Sequence, residues 1–195
     1  MAQAKTLTQT DIDKVLTYIA EHDHAQRNKM MLMMGLSCGL RVSEIAGLTI
    51  GDVRNSDGTV KSQVYLSANR VKHGHARTVF ISSALQVELQ KYIDERSWLD
   101  NEQTLFNTLR GARKAFSAST LTQHFHYLFK NAGVFGASSH SMRRTFLTNL
   151  ANGGISVFVL ASLAGHKNIA TTQRYVTVND EQKRRAVDCF SLQIG

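Results

Sequence analysis

The chain has 195 residues, 43% of them hydrophobic, which is enough apolar material for one compact domain and too much for wholesale disorder. It carries a formal net charge of +8, no uncharged apolar run long enough to cross a bilayer, and no apolar secretory segment after Met1. Cys38 and Cys189 lack the spacing of a zinc site and read as small buried hydrophobes in a reducing compartment, so a cytoplasmic or nucleoid-bound protein is expected.

There is no proline, so punctuation falls to glycine, asparagine and serine. Thr8 and Thr10 are candidate N-caps, with Asp11 and Asp13 in the first turn, for a helix reaching about His22. A second helix over 25–38 carries Met30, Met31, Leu32, Met33 and Met34. Methionines at this spacing read as core filler, and Gly39 ends the helix before a short one over 41–48. Between 59 and 82 the pattern becomes β-like. Val60, Val64, Tyr65 and Leu66 lead to a basic turn with Gly74 near its tip, and Thr78-Val-Phe-Ile follows as a second strand. Helical patterning resumes over 83–98, over 119–132 with Ser119 as N-cap, and then over 141–151, 156–163, 168–175 and 180–190. The expected fold is mainly α with a small antiparallel β-sheet, as one domain with a core over 6–179 and a tail over 180–195.

Charge is distributed unevenly. From Gln103 to Asn179 there is no Asp or Glu, yet the stretch holds Arg110, Arg113, Lys114, Lys130, Arg143, Arg144, Lys167 and Arg174. A half without carboxylates faces something that supplies negative charge, and double-stranded DNA is the expected polyanion. The same vacancy argues against metal-dependent phosphodiester chemistry, because Mg²⁺ needs carboxylate oxygens, and no cofactor is expected. His124 and His126 sit two apart on a helix and point to different faces, so no metal site is expected there either.

Some of these groups suit attack on a phosphate. Arg41 follows Gly39-Leu40, His140 and Arg143 share one helix face three residues apart, and His166 sits in Ala164-Gly-His-Lys. Tyr175 closes the next short helix, and Lys72 lies in the basic turn. Guanidiniums pair two phosphate oxygens at once, imidazoles move protons, and a phenol is a nucleophile. Taken singly, each has an ordinary alternative: Arg41 pairing Glu44 on its own helix, Tyr175 packing half-buried, His140 at a helix start. Lys72 has competitors in Lys61, Arg70 and Arg77.

Together, Arg41 with Glu44, Lys72 in a β-turn, His140-Ser-Met-Arg143, Gly165-His166 and Tyr175 resemble the tyrosine recombinase (phage integrase) motif set, in family order and spacing, over roughly Thr6 to Asn179. The resemblance implies a DNA breaking-rejoining catalytic-domain fold and a site-specific DNA recombinase working through a 3′-phosphotyrosyl intermediate, without metal or ATP. It implies Tyr175 as nucleophile, Arg41 and Arg143 as phosphate clamps, Lys72 as general acid, and His140 as acid/base or acceptor of the tyrosine proton. His166 would be a hydrogen-bond donor to the phosphate, and Glu44 would orient Arg41 or His140. It implies a homotetramer on two synapsed sites, helped in some members by an accessory DNA-bending protein, with the tail docking on its own domain or on a neighbour. Two departures stand out: only a few residues precede the first helix, so the N-terminal DNA-clamping domain that most members carry is not expected here, and Arg144 stands where a histidine is frequent. The rival readings are a DNA-binding regulator, whose helix-turn-helix would span 141–165, and a type IB topoisomerase-like strand transferase.

Overall fold

The computed structural model describes residues 4–68, 76–96, 100–108, 114–176 and 180–188. They form a mainly helical fold with one two-stranded antiparallel sheet, as the patterning predicted. Helix α1 (Gln9–Ala20) starts at Thr8. Thr8 Oγ1 accepts from the Asp11 amide at 3.1 Å, while the Asp11 carboxylate accepts from the Thr8 amide at 3.0 Å, so two orphan donors are satisfied reciprocally. Helix α2 (Ala25–Cys38) has the predicted limits. Met30, Met31 and Met34 are buried, as expected of core filler, and burial pushes the Cys38 thiol up to about 12, leaving it inert.

The C-terminal end of α2 aims the chain toward the site. Gly39 sits at φ 61°, in the left-handed region that glycine adopts at little cost, and turns the backbone into α3 (Val42–Ala46). A short helix the patterning did not reveal, α4 (Ile50–Val53), follows, and an isolated bridge from Thr49 to Thr104 ties it to a distant segment. Strands β1 (Gln63–Leu66) and β2 (Arg77–Phe80) pair antiparallel with Leu66 opposite Arg77. Residues 69–75 between them, with Arg70, Lys72 and Gly74 of the expected turn, lie outside the described residues.

Helix α5 (Ser83–Asp94) is capped by Ser82. Helix α6 (Ala118–Asn131) begins two residues earlier than predicted: Ser117, not Ser119, accepts from the Thr120 amide at 3.0 Å. Both serines have a polar neighbour three residues on, so the choice rests on tertiary position: Phe116, just ahead of the cap, is buried against the core. His124 on this helix packs beside Phe116 and Phe125, and burial, with Arg27 nearby, pushes its pKa down to about 4.

Helix α7 (Ser139–Asn152) starts at Ser138, so His140 lies in its first turn. It lies close against α2, because Gly35 carries no side chain there; a Cβ would fall 2.6 Å from the Met142 sulfur. Helices α8 (Val157–Ala164), α9 (Ile169–Gln173) and α10 (Asp180–Asp188) complete the described fold. The apolar interior divides in two. A large cluster runs from Leu7 through α2, α5 and α6 to Met142; a small one joins Leu147 and Ala151 of α7 to Leu160 and Ala164 of α8, with Tyr175 and Val176 packed on it.

Candidate active site

Three helix ends supply the scaffold. A helix leaves its last carbonyls without intrahelical donors, and two such oxygens near the ends of α2 and α8 are taken by one buried guanidinium. Arg143 donates through Nη1 to Gly39 O at 2.7 Å and through Nη2 to Ala164 O. Arg41 stands at the start of α3, where the Glu44 carboxylate accepts from its backbone amide at 2.7 Å and from Nη1 at 2.9 Å. Its Nη2 leans toward the same Ala164 oxygen, a long contact of 3.4 Å. The two arginines, distant in sequence, therefore converge on one acceptor.

His166 follows Gly165 at the end of α8. Its Nε2 lies 3.1 Å from Arg143 Nη2 and its Nδ1 lies 2.8 Å from Thr172 Oγ1. A guanidinium offers no acceptor, so Nε2 must be the unprotonated nitrogen and Nδ1–H must donate to the buried Thr172 hydroxyl. The electrostatics agree: burial first, then Arg143, Arg41 and Arg77, push the His166 pKa down to about 4, which leaves a neutral ring. Burial, then Arg41 and Arg77, push Arg143 down to about 9, so it stays charged at neutral pH. The His166 and Tyr175 rings lie 6.2 Å apart and nearly parallel, at 16°. Arg144, held by Thr6 Oγ1 at 2.9 Å, places its guanidinium 5.7 Å from the Tyr175 ring centre.

The structure brings Arg41, His140, Arg143, His166 and Tyr175 onto one cleft of about 560 Å³, joined by Arg144 and Arg174; none of the described residues lining it is a carboxylate. Lys72 lies outside the described residues. Of its competitors, Lys61 donates to Gly51 O at 2.6 Å, away from the cleft. Arg77, in contrast, borders the site without lining the cleft. It is buried and donates through Nη2 to Glu44 Oε2 at 2.7 Å, so Glu44 serves Arg41 and Arg77. Thr172 and Arg77 were missed from sequence. A threonine six residues after a histidine carries no signal, and Arg77 was visible only as one cation of a basic turn.

A cleft lined by guanidiniums, imidazoles and a phenol has the chemistry to receive an anionic group such as a phosphate. The chain belongs to the phage integrase family, whose model matches residues 5–182. It is 30% identical over 189 residues to the tyrosine recombinase XerA of Pyrococcus horikoshii, covering 96% of this chain and 62% of that protein. It is also 29% identical over 184 residues to the tyrosine recombinase XerC of Pelobacter propionicus, covering 91% of this chain and 58% of that protein. The chain thus spans less than two thirds of these curated relatives. Its fold resembles the crystal structure of XerA recombinase, with a TM-score of 0.74 at 24% identity, covering 97% of this chain and 66% of that one. It also resembles the catalytic domain of bacteriophage HP1 integrase, with a TM-score of 0.68 at 22% identity and 95% of both chains covered.

Proposed function

We propose that this chain is the catalytic part of a site-specific DNA recombinase that cleaves and rejoins DNA through a bond between Tyr175 and a 3′-phosphate. One observation carries the reading: Arg41, His140, Arg143, His166 and Tyr175, scattered over more than half the sequence, line one cleft with no carboxylate among its described residues. A repressor has no use for a phenol beside two converging guanidiniums. In the proposed reaction the Tyr175 oxygen attacks phosphorus, the bond to the 5′-oxygen breaks, and the leaving oxygen takes a proton, which we assign to Lys72. His140, exposed on the cleft, accepts the phenol proton. Arg41 and Arg143 stabilise the charge on the non-bridging oxygens. The phosphotyrosyl bond conserves the energy of the broken phosphodiester, so religation by the free 5′-hydroxyl needs no ATP.

The resting hydrogen bonds add a step. His166 cannot donate to a phosphate through Nε2 while that nitrogen accepts from Arg143. Phosphate arrival draws Arg143 Nη2 onto an oxygen, and the added negative charge favours protonation of Nε2, which then donates. Substrate capture is therefore coupled to uptake of a proton.

Duplex DNA is the proposed partner. One solved structure similar in fold is the Tn1549 transposon integrase in complex with circular intermediate DNA, with a TM-score of 0.73 at 22% identity, covering 98% of this chain and 68% of that one. Assembly as a tetramer on two synapsed sites, a DNA-bending accessory protein, and residence on the nucleoid complete the proposal. Helix α10 is tethered by Gln182, which donates to Ala151 O at 3.1 Å, while Val187 stays exposed. The rest of the tail, with Phe190, Leu192 and Ile194, lies outside the described residues. Deleting 180–195 is expected to weaken assembly, read by sedimentation, more than affinity for a single site.

The decisive assay is incubation with nicked suicide duplexes followed by denaturing gel electrophoresis. A covalent adduct that disappears in Tyr175→Phe is expected. Intact DNA binding without an adduct would leave a regulator, and relaxation of supercoiled plasmid without site preference would leave a topoisomerase.

A further inference from the structure

We infer that Arg77 is a positioning residue of this site, aligning Arg41 through Glu44 and His166 through Gly165. The inference rests on the functional reading above only for its kinetic consequence.

Arg77 opens β2, where side chains alternate between faces. Thr78 and Phe80 are the more exposed pair, while Arg77 and Val79 turn inward. An inward position on a small ribbon suits an aliphatic residue. Here it holds a guanidinium that is only 7% exposed, whose Nε and Nη1 have no partner among the described residues. Buried donors left unmatched are costly, and a hydrophobic side chain of similar volume would remove that cost. Packing alone does not account for an arginine here; its two contacts do.

The first contact is with Glu44, which is buried and divides its oxygens. Oε1 takes Arg41 Nη1, while Oε2 takes the Arg41 amide at 2.7 Å and Arg77 Nη2 at 2.7 Å. With Arg77 on one side, the carboxylate plane is fixed, and so is the direction in which it holds Arg41. Arg77 also draws on the negative charge of Glu44, so Arg41 is not fully neutralised by its own orienting group. Among the described residues, Glu44 is the only carboxylate paired with any of the three arginines Arg41, Arg77 and Arg143. The cleft keeps excess positive charge for a phosphate.

The second contact is steric. The Arg77 stem lies on Gly165, where an added Cβ would fall 2.6 Å from Arg77 Cδ and 3.1 Å from Nε. Gly165 stands at φ 62° and the next residue is His166, so Arg77 forms the wall that sets where α8 turns and where the imidazole emerges.

The experiment compares Arg77→Gln with Arg77→Lys in the full chain, checking the fold by circular dichroism. Without DNA, NMR follows the imidazole nitrogens of His166 and solvent exchange of the Arg41 guanidinium. Arg77→Gln is expected to shift the first and accelerate the second. With saturating nicked duplex, Arg77→Gln is expected to slow single-turnover adduct formation by about 10- to 100-fold while the Kd for duplex stays within about threefold, the split expected of a group that orders others. Arg77→Lys, which restores the charge and can reach Glu44, recovers most of the rate. Unmoved Arg41 and His166 signals in a folded Arg77→Gln protein would overturn the inference. So would equal losses of rate and affinity, or a lysine variant no better than the glutamine one. Should the parent chain form no Tyr175-dependent adduct, the recombinase reading falls, and the NMR comparison still decides the role of Arg77.

Discussion

The larger apolar cluster and the smaller one support different parts of the cleft. Arg41 stands at the start of α3, whose Val42, Ile45 and Ala46 belong to the large cluster, and Arg143 follows Met142, which is fully buried in it. Both guanidiniums are further tied to backbone carbonyls or to Glu44. Tyr175, by contrast, packs on a cluster whose buried members are Leu147, Ala151, Leu160 and Ala164, and it follows a helix of five residues. The groups proposed to hold a phosphate are thus attached to the larger cluster, while the proposed nucleophile packs on the smaller one. Stability is not uniform across a domain, and elements with few buried contacts open first. On the proposed reading, Tyr175 on such an element is positioned by what binds the cleft.

Five measurements sharpen or break that contrast. The largest effect is expected for Arg143→Gln, which removes the buried clamp and should slow adduct formation at saturating duplex by about 10²- to 10³-fold. A loss below about tenfold would remove Arg143 from the centre of the comparison. Next come paired truncations, Leu147→Ala in the small cluster and Leu121→Ala in the large one, both fully buried. Each should cost about 2–5 kcal/mol in urea unfolding. Adduct formation per folded molecule should fall only in Leu147→Ala; an equal fall in both would erase the distinction. Third, native-state hydrogen exchange of the α9 amides should run at least about tenfold faster than that of mid-α2 amides such as Leu32.

The smallest effects concern pH. His166 and His124 both stand near 4 in the folded protein against an ordinary value of 6.5. Above 6.5 both states hold neutral rings and stability is undiminished. As pH falls from 6.5 toward 4, the unfolded chain takes up protons that the folded chain refuses, so stability declines across that window. Acid titration of urea midpoints should show this decline, reduced in His124→Phe. The proposed proton uptake at His166 on phosphate capture has its own signature. Affinity for duplex should rise as pH falls toward 4, by at most about tenfold per unit for one proton, and His166→Gln should flatten that slope. A slope unchanged in the variant would show that the Nε2 contact with Arg143 has no part in capture.

Much of the site was legible because it is written locally. Glu44 three residues after Arg41, His140 three before Arg143, and Gly165 before His166 each place two groups on one turn of backbone, and helical spacing makes such pairs neighbours whatever the tertiary fold. The limits of α2 were equally plain, with a methionine-rich stripe ended by Gly39. What escaped was set by distant contacts. Ser117 and Ser119 are both acceptable caps, and burial of Phe116 selects between them. The inward face of Arg77 depends on strand register, Thr172 matters because α9 folds back over His166, and α4 is held partly by a bridge to Thr104. No window of sequence contains these relations.

The carbonyl of Ala164 has a consequence for how quickly the cleft can seize its target. Two long side chains that would otherwise sweep through many rotamers already share one acceptor, Arg143 by a hydrogen bond and Arg41 by a long contact of 3.4 Å. Freezing an arginine costs up to about 2 kcal/mol of rotamer freedom, and here that toll was levied during folding. On the proposed reading, an incoming phosphate oxygen takes the place of that carbonyl, and capture is an exchange of acceptors at guanidiniums that are already aimed.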